Sequence, residues 1–217
     1  MSLNIGENPV LLILLSFLEI FLILIPALIA SLIEKTTIKV EIKNMGFQPS
    51  QGSRVDFVVK MLLGSVIGEI LFLSAGYIMF FYRDIIVKTI FGKDFILIGR
   101  NNTINTNPIC IEPIQLFFLI ILQFVVIGPC EEGFFRGFLI KKCEKKFKRI
   151  YSIIFSSICF SFYHMPPFLV PLETIITLFG YYFTLGIILS ILFIKTDYSL
   201  FSCSIAHSVF NSLIFII

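Results

Sequence analysis

The sequence predicts an all-α fold, a polytopic membrane helix bundle of about six to eight transmembrane helices. Three observations support this prediction. First, 57% of the 217 residues are hydrophobic, only 14% are charged, and the mean hydropathy is +0.97, whereas a soluble domain carries about 25% charged residues. Second, the chain holds 26 Phe and no Trp, an apolar content that suits lipid. Third, apolar runs of membrane-spanning length recur along it. These observations exclude a soluble enzyme, a disordered tail and a disulfide scaffold.

The apolar runs define the elements in chain order. Crossing a hydrocarbon core of about 30 Å takes roughly 20 helical residues. The first run is expected to be a retained helix, because no Lys or Arg precedes it and no small-residue cleavage site follows it. Together the runs predict a single integral membrane domain over residues 1–217, with the motif-bearing half at 113–217. The six runs lie at residues 9–33, about 61–82, 113–140, 150–164, 169–194 and 199–217.

Lys and Arg are concentrated in the loops on one side of the predicted bundle. Residues 34–60 hold five and residues 141–149 hold six, whereas residues 83–100, expected to form a loop on the other side, hold four. Cytoplasmic loops carry the excess of basic residues. The amino terminus is therefore predicted outside the cell membrane and the 141–149 loop inside. Residues 34–59 mix apolar and basic positions, so both a segment lying on the membrane surface and an ordinary cytoplasmic loop fit them.

Net charge and cysteine content indicate no further class of partner. The formal net charge of +3 is too small to indicate nucleic-acid binding. The five cysteines have no CxxC spacing, so a disulfide framework is not expected. The partners predicted are the lipid bilayer and a substrate.

Ionisable side chains within the predicted spans are the main functional signal. Each is costly in hydrocarbon, so each requires a partner or a function. Both histidines of the chain fall at membrane depth. We interpret Glu19 and Glu69 as interhelical hydrogen-bond partners. The complete set is Glu19, Glu69, Glu131, Glu132, Arg136, His164, Glu173 and His207.

The first cluster lies in the segment 129–137, Pro-Cys-Glu-Glu-Gly-Phe-Phe-Arg-Gly. On a helix, Glu132 and Arg136 are four residues apart and stack on one face, so they can neutralise each other. Glu131 then points about 100° away and stays available for chemistry. The alternative is a buried cluster that only joins neighbouring helices, although two adjacent acids are more than joining requires.

Two further helix faces carry the imidazoles. Phe160 and His164 are four apart at the end of the short fourth run, directly before a Met-Pro-Pro break. His207 and Asn211 are four apart on the last helix. A lone membrane histidine is more often an interhelical hydrogen-bond partner. Two histidines, a carboxamide and an acid pair on helix faces favour a reactive site instead.

Such a set of groups suits amide hydrolysis within the membrane. A carboxylate held away from water is poised to take a proton from a water molecule, and an imidazole can share or return it. His207 and Asn211 supply donors for an oxyanion. No GxSxG elbow or Ser-Lys pair indicates a covalent nucleophile. Zinc held by two His and one Glu is the nearest rival. HExxH is absent and the chain has two histidines, so we expect a glutamate-activated water and no metal cofactor.

The three motifs, in this order, resemble those of the type II CAAX prenyl protease family, also called the CPBP or ABI family of intramembrane proteases. The resemblance covers roughly residues 113–217. It implies an all-helical membrane fold and endoproteolysis after a prenylated cysteine near a substrate carboxyl terminus. Glu131 and His164 would activate the water, and His207 with Asn211 would stabilise the oxyanion, by a mechanism that the motifs fit better than metal catalysis. The residues implied to support the site are Glu132, Arg136 and Phe160.

The chain departs from the family pattern in two ways. Family members commonly have eight membrane helices and this chain ends six residues after Asn211, so a final helix is expected to be missing. The amino-terminal half matches no motif, which leaves substrate choice open. Some members of the wider family are proposed to act in bacteriocin immunity or on unlipidated substrates.

Three other functions remain as rivals. They are a non-catalytic membrane scaffold or immunity-type protein, a zinc-dependent intramembrane protease with another substrate, and a proton-coupled transporter. A transporter predicts an inverted repeat with broken helices in both halves. Polar residues concentrate in the second half only, which argues against it.

Overall fold

The computed structural model describes residues 3–4, 8–47, 53–106 and 112–216 and is 86% helical, which confirms the predicted all-α membrane bundle. A two-residue parallel bridge joins Leu3–Asn4 to Ile104–Asn105. The helices in these ranges are α1 (Val10–Glu34), α2 (Ile38–Met45), α3 (Arg54–Phe91), α4 (Lys93–Asn101), α5 (Pro113–Glu144), α6 (Arg149–His164), α7 (Leu172–Lys195) and α8 (Leu200–Ile216).

Four of these helices, α1, α3, α5 and α7, are long and apolar enough to cross a membrane. The helices α6 and α8 are shorter, with 16 and 17 residues. Large apolar side chains such as Leu14, Ile25, Leu73 and Val125 are exposed along the long helices, as lipid contact requires. The chain is therefore an integral membrane protein.

The second span is longer than predicted. Helix α3 runs for 38 residues instead of residues 61–82, and α4 follows it after a single residue. The predicted loop at 83–100 is therefore wrong, because no Gly or Pro occurs between Tyr82 and Gly92 and residues 93–101 form α4. Gly92 ends the helix with a φ of 86°, a left-handed conformation that glycine adopts without strain.

Residues 38–45 form a short helix, so the ordinary-loop alternative is wrong for them. The Thr37 hydroxyl accepts the Val40 N–H at 3.3 Å, and Gly46 ends the helix with a φ of 116°. Glu41 and Met45 are buried while Ile38 is exposed. Residues 48–52, which belong to the same predicted segment, lie outside the described part. The helix packs against α1 and against the second half of α5.

Helix α5 is continuous through Pro129, as the length of the third apolar run suggested. A π-helical segment, Gln123–Ile127, precedes the proline, and the Gly128 N–H donates to the Gln123 carbonyl. A second π-helical segment, Gly133–Ile140, follows the two glutamates. Wider turns let a helix absorb a proline, and they occur often at functional sites.

Helices α3 and α8 form a close contact through glycine. A Cβ on Gly64 would lie 2.6 Å from the Ser202 carbonyl, and one on Gly68 would lie 2.6 Å from the Ala206 carbonyl. Small residues four apart let two membrane helices approach backbone to backbone. This contact holds α8, which carries His207, against the bundle.

The cysteines that the structure describes, Cys130, Cys143, Cys159 and Cys203, are free thiols. Cys110 lies outside the described residues.

Candidate active site

The three sequence motifs converge inside the bundle. Glu131 and Glu132 lie midway along α5, His164 is the last residue of α6, and His207 lies midway along α8. Glu131, Glu132 and His207 are buried, and the His164 side chain is 24% exposed. The Pro166–Pro167 pair that follows α6 prevents the helix from continuing. The imidazole of His164 is therefore held at a helix end that reaches the centre of α5.

Glu132 and Arg136 form the ion pair that their spacing predicted. Arg136 Nη1 donates to Glu132 Oε1 at 2.8 Å, and both side chains are fully buried. Arg136 Nη2 also donates to the Gly186 carbonyl of α7 at 3.2 Å. The same carboxylate oxygen lies 2.8 Å from His207 Nδ1. Glu132 Oε1 thus links α5 to α8 through His207, and Arg136 links α5 to α7 through the Gly186 carbonyl.

Glu131 faces both imidazoles. Its Oε2 lies 3.6 Å from His164 Nε2 and 3.8 Å from His207 Nε2. These distances exceed a direct hydrogen bond. Glu131 Oε2 is buried and makes no hydrogen bond with any described residue. The spacing is one that a shared water molecule spans.

Phe160 packs at the centre of the cluster. The Arg136 guanidinium lies 4.6 Å from its ring centroid, within cation–π range. Its ring also contacts His164 edge-to-face at 4.5 Å and His207 at 5.9 Å. Tyr182 of α7 stacks on the His164 ring at 4.7 Å with an interplanar angle of 16°. The sequence did not single out Tyr182, because an aromatic residue in an apolar helix carries no distinguishing pattern.

Asn211, on the same helix as His207, forms its hydrogen bond with Gln123 and not with the acid–imidazole cluster. Its Nδ2 donates to Gln123 Oε1 at 3.0 Å, across from α8 to α5. The Ser208 hydroxyl donates to the Gln123 carbonyl at 2.6 Å. Gln123 is buried, and sequence reasoning missed it. The available signal was its position as an amide within an otherwise apolar run.

The remaining membrane acids behave differently from one another. Glu19 accepts a hydrogen bond from the Tyr163 hydroxyl at 2.5 Å, which confirms it as an interhelical partner. The same prediction for Glu69 is wrong: its side chain is exposed on α3 and makes no hydrogen bond with a described residue. Glu69 follows Gly68, so it falls beside the close contact with α8 and not within it. Glu173 is half-buried in the first turn of α7.

Over residues 3–4, 8–47, 53–106 and 112–216, no group of three or more His, Cys, Asp and Glu side chains is arranged to hold a metal ion.

Outside the bundle centre, an ion-pair network fastens α2 to the end of α5. Lys142 Nζ lies 2.6 Å from Glu34 Oε1 and 2.7 Å from Glu41 Oε2. The Thr36 hydroxyl donates to Glu41 at 2.7 Å. Burial favours the neutral Glu41 carboxyl, but these hydrogen bonds outweigh burial and hold its pKa below the usual 4.5.

The fold and the cluster together define a polytopic membrane protein with an acid–imidazole site buried between its helices. Residues 113–213 match the model of the family described as Rce1-like, "Type II CAAX prenyl endopeptidase Rce1-like". This part of the chain is therefore similar to the Rce1-like family, whose motifs the sequence resembles. No curated protein and no solved structure gives a significant match. The family supports a CAAX-type intramembrane protease kind of function.

Proposed function

We propose that the protein is an intramembrane endopeptidase that removes the carboxyl-terminal tripeptide of a prenylated CAAX-type protein. The observation that carries the proposal is the position of Glu131. Its carboxylate is buried, makes no hydrogen bond with the described residues, and faces two imidazoles at 3.6 and 3.8 Å. Structural acids in membranes are instead paired, as Glu132 is with Arg136.

The first step is attack of water on the scissile carbonyl. Glu131 takes a proton from a water held between it and His164, and the hydroxide oxygen bonds to the carbonyl carbon. The electron pair of the C=O bond moves to its oxygen, giving a tetrahedral oxyanion. A positioned general base contributes about 10²–10⁴-fold to such a step.

The oxyanion must then be stabilised by hydrogen-bond donors. His207 faces Glu132 through Nδ1, so Nδ1 carries a proton if Glu132 is ionised. His207 Nε2 can donate to an oxyanion only when the ring holds a second proton. Glu132 lies between Arg136 and His207 and stabilises that imidazolium. Asn211, oriented by Gln123, supplies the second donor.

Collapse of the intermediate completes the reaction. The C–N bond breaks, the oxyanion electrons reform the carbonyl, and the leaving nitrogen takes the proton that Glu131 received, directly or through His164. The products are a shortened protein with a new carboxylate and a free tripeptide. No covalent intermediate and no metal cofactor are required.

The substrate class is supported by the family description of residues 113–213. A prenyl chain is a hydrocarbon that partitions into the bilayer, and the long helices expose apolar side chains to that bilayer. We place the protein in the cell membrane and the path to the site on the cytoplasmic side, where the basic residues of 141–149 are predicted to lie.

Cleavage of a farnesylated CAAX peptide by the purified full-length protein in detergent tests the proposal. Wild type should release the tripeptide, and Glu131→Gln should lose at least about 100-fold in kcat while staying folded. Glu69→Gln is the matched control, because Glu69 is an exposed acid in a membrane helix with no hydrogen bond to a described residue. Its activity should equal that of wild type.

The outcomes separate the rivals. If Glu131→Gln keeps full activity, the proposed base is wrong. If the wild type cleaves neither prenylated nor unlipidated peptides, the non-catalytic scaffold is favoured. Glu131, His164 and His207 are also a ligand set that zinc uses, so phenanthroline is included. Inhibition by phenanthroline that added zinc reverses would replace the glutamate mechanism with a zinc-dependent one.

A further inference from the structure

Helix α1, outside the matched residues 113–213, contacts the site through one half-buried acid. Glu19 lies in a 3₁₀ turn, Phe17–Ile20, that interrupts the helix. Its Oε1 accepts the hydroxyl proton of Tyr163 at 2.5 Å, and the two residues are 144 positions apart. A short bond to a carboxylate is among the stronger hydrogen bonds in proteins.

Tyr163 immediately precedes His164 at the end of α6. The rings of Tyr163 and His164 meet at 5.3 Å, and Tyr163 also contacts Phe135 of α5 at 5.5 Å. Helix α6 ends at His164, and Met165 has left the helical conformation. The last turn of a helix frays readily, because its carbonyls have no helical partner. The hydrogen bond that Tyr163 donates to Glu19 therefore holds the turn that carries the His164 imidazole.

The desolvation penalty of placing the Glu19 carboxylate in a membrane helix indicates a role beyond joining helices. Its second oxygen, Oε2, is buried and makes no hydrogen bond with a described residue. A neutral hydroxyl or amide would accept the Tyr163 proton at a smaller desolvation penalty than a carboxylate. An acid retained in a membrane helix at this cost is a candidate for function.

We propose that Glu19 is a positioning residue of the active site, acting through Tyr163 on His164. The inference rests on the proposed function, in which His164 shares a water with Glu131. The 3.6 Å separation of His164 Nε2 from Glu131 Oε2 is the quantity that Glu19 maintains. Displacing a reacting group by about 1 Å can cost about 100-fold in rate, so a partial loosening of this turn slows the reaction without altering substrate binding.

The kinetic test compares Tyr163→Phe and Glu19→Leu with Glu19→Gln, whose amide oxygen can still accept from Tyr163. Tyr163→Phe and Glu19→Leu should lower kcat about tenfold with KM unchanged. Glu19→Gln should keep most of the wild-type kcat. Tyr151→Phe, an exposed tyrosine on the same helix, and Glu69→Gln are the matched controls. In a His164→Ala background, Tyr163→Phe should cause no further loss of residual activity.

A second measurement is independent of turnover. The chain has two histidines, so ring-labelled histidine gives two imidazole NMR signals, which His207→Ala assigns. Tyr163→Phe and Glu19→Leu should move or broaden the His164 signal and leave the His207 signal in place. Melting in detergent shows whether each variant is folded.

The two measurements separate failure of this inference from failure of the proposed function. If the wild type cleaves no CAAX peptide but the His164 signal still responds to Glu19→Leu, the function is wrong and the positioning contact stands. If the wild type cleaves and the folded variants match it in kcat and in the His164 signal, Glu19 is not a positioning residue. The inference is also overturned if Tyr163→Phe and Glu19→Leu raise only KM. It is overturned as well if Tyr163→Phe lowers kcat by the same factor in the His164→Ala background as in the wild type.

Discussion

The two halves of the molecule differ in how much of their helix surface is buried. In α3, 17% of the most apolar stretch is buried, whereas in α7 the share is 44%. Helix α6 buries four serines, at positions 152, 156, 157 and 161. Small and hydroxyl side chains let the second-half helices pack closely and return hydrogen bonds to backbone, as Ser156 does to the Phe135 carbonyl at 2.6 Å. The first half mainly faces lipid, and the second half encloses charge.

The largest expected loss of stability comes from removing a charged side chain in the second half. Arg136→Leu leaves Glu132 buried without its cation, and we expect a loss of about 3–5 kcal/mol in the free energy of unfolding. The contrasting variant in the first half is Arg83→Leu, whose partner Asp84 lies 2.6 Å away with both side chains partly exposed. That change should cost about 1 kcal/mol or less. Denaturant titration in detergent measures both, and equal losses would contradict the contrast.

The second prediction concerns the two faces of α3. Gly68→Ala places a Cβ 2.6 Å from the Ala206 carbonyl and should destabilise the protein by about 1–3 kcal/mol. A Cβ on Gly76 would meet no atom of another helix within 4 Å, so Gly76→Ala should stabilise the helix by about 0.5–1 kcal/mol. Opposite shifts in melting temperature are expected. A stabilising Gly68→Ala would show that α3 and α8 are not in close contact.

A smaller effect is expected at the link between α5 and α8. Gln123→Leu removes the oxygen that accepts the Asn211 amide. We expect about a tenfold fall in kcat on the CAAX peptide, because an unpaired donor no longer holds its orientation. Gln123→Glu keeps the acceptor and serves as the rescue variant. If both variants behave as wild type, Asn211 is not oriented by Gln123.

The smallest predicted effect lies outside the hydrocarbon, at the contact of α2 with α5. The pKa of Glu41 is lowered in the folded protein, so its ionised form stabilises the fold above the usual value of 4.5. That contribution is lost as the pH falls through the folded pKa. The melting temperature of wild type should exceed that of Glu41→Gln by a constant margin above pH about 5.5, and the margin should shrink below that. A margin that stays constant to pH 3 would show that Glu41 gains nothing from Lys142.

Spacing along one helix was predictable, and the rotation of one helix against another was not. The Glu132–Arg136 pair follows from four residues of separation, and the structure contains it. The convergence of His164 and His207 on Glu131 was expected because all three side chains fall within predicted membrane spans. The contacts of Tyr182 with His164 and of Gln123 with Asn211 depend on how α5, α7 and α8 are turned about their axes, which periodicity does not report.

The two errors have different origins. Glu69 was expected to face another helix, but the glycine face of α3 turns it outward. The end of the second span was placed at its charged residues, yet charge does not stop a helix, and the chain continues helical to Phe91.

For the proposed reaction, the unbroken course of α5 gives a distance that a peptide substrate would have to cover. The helix holds 32 residues, which at 1.5 Å each span about 48 Å and exceed the roughly 30 Å of hydrocarbon. Glu131 lies about 20 Å from the Glu144 end of this rod. An extended peptide gains about 3.3 Å per residue. In the proposed reaction, a tail that reaches Glu131 from the level of Glu144 would span about six extended residues before the bond to be cut.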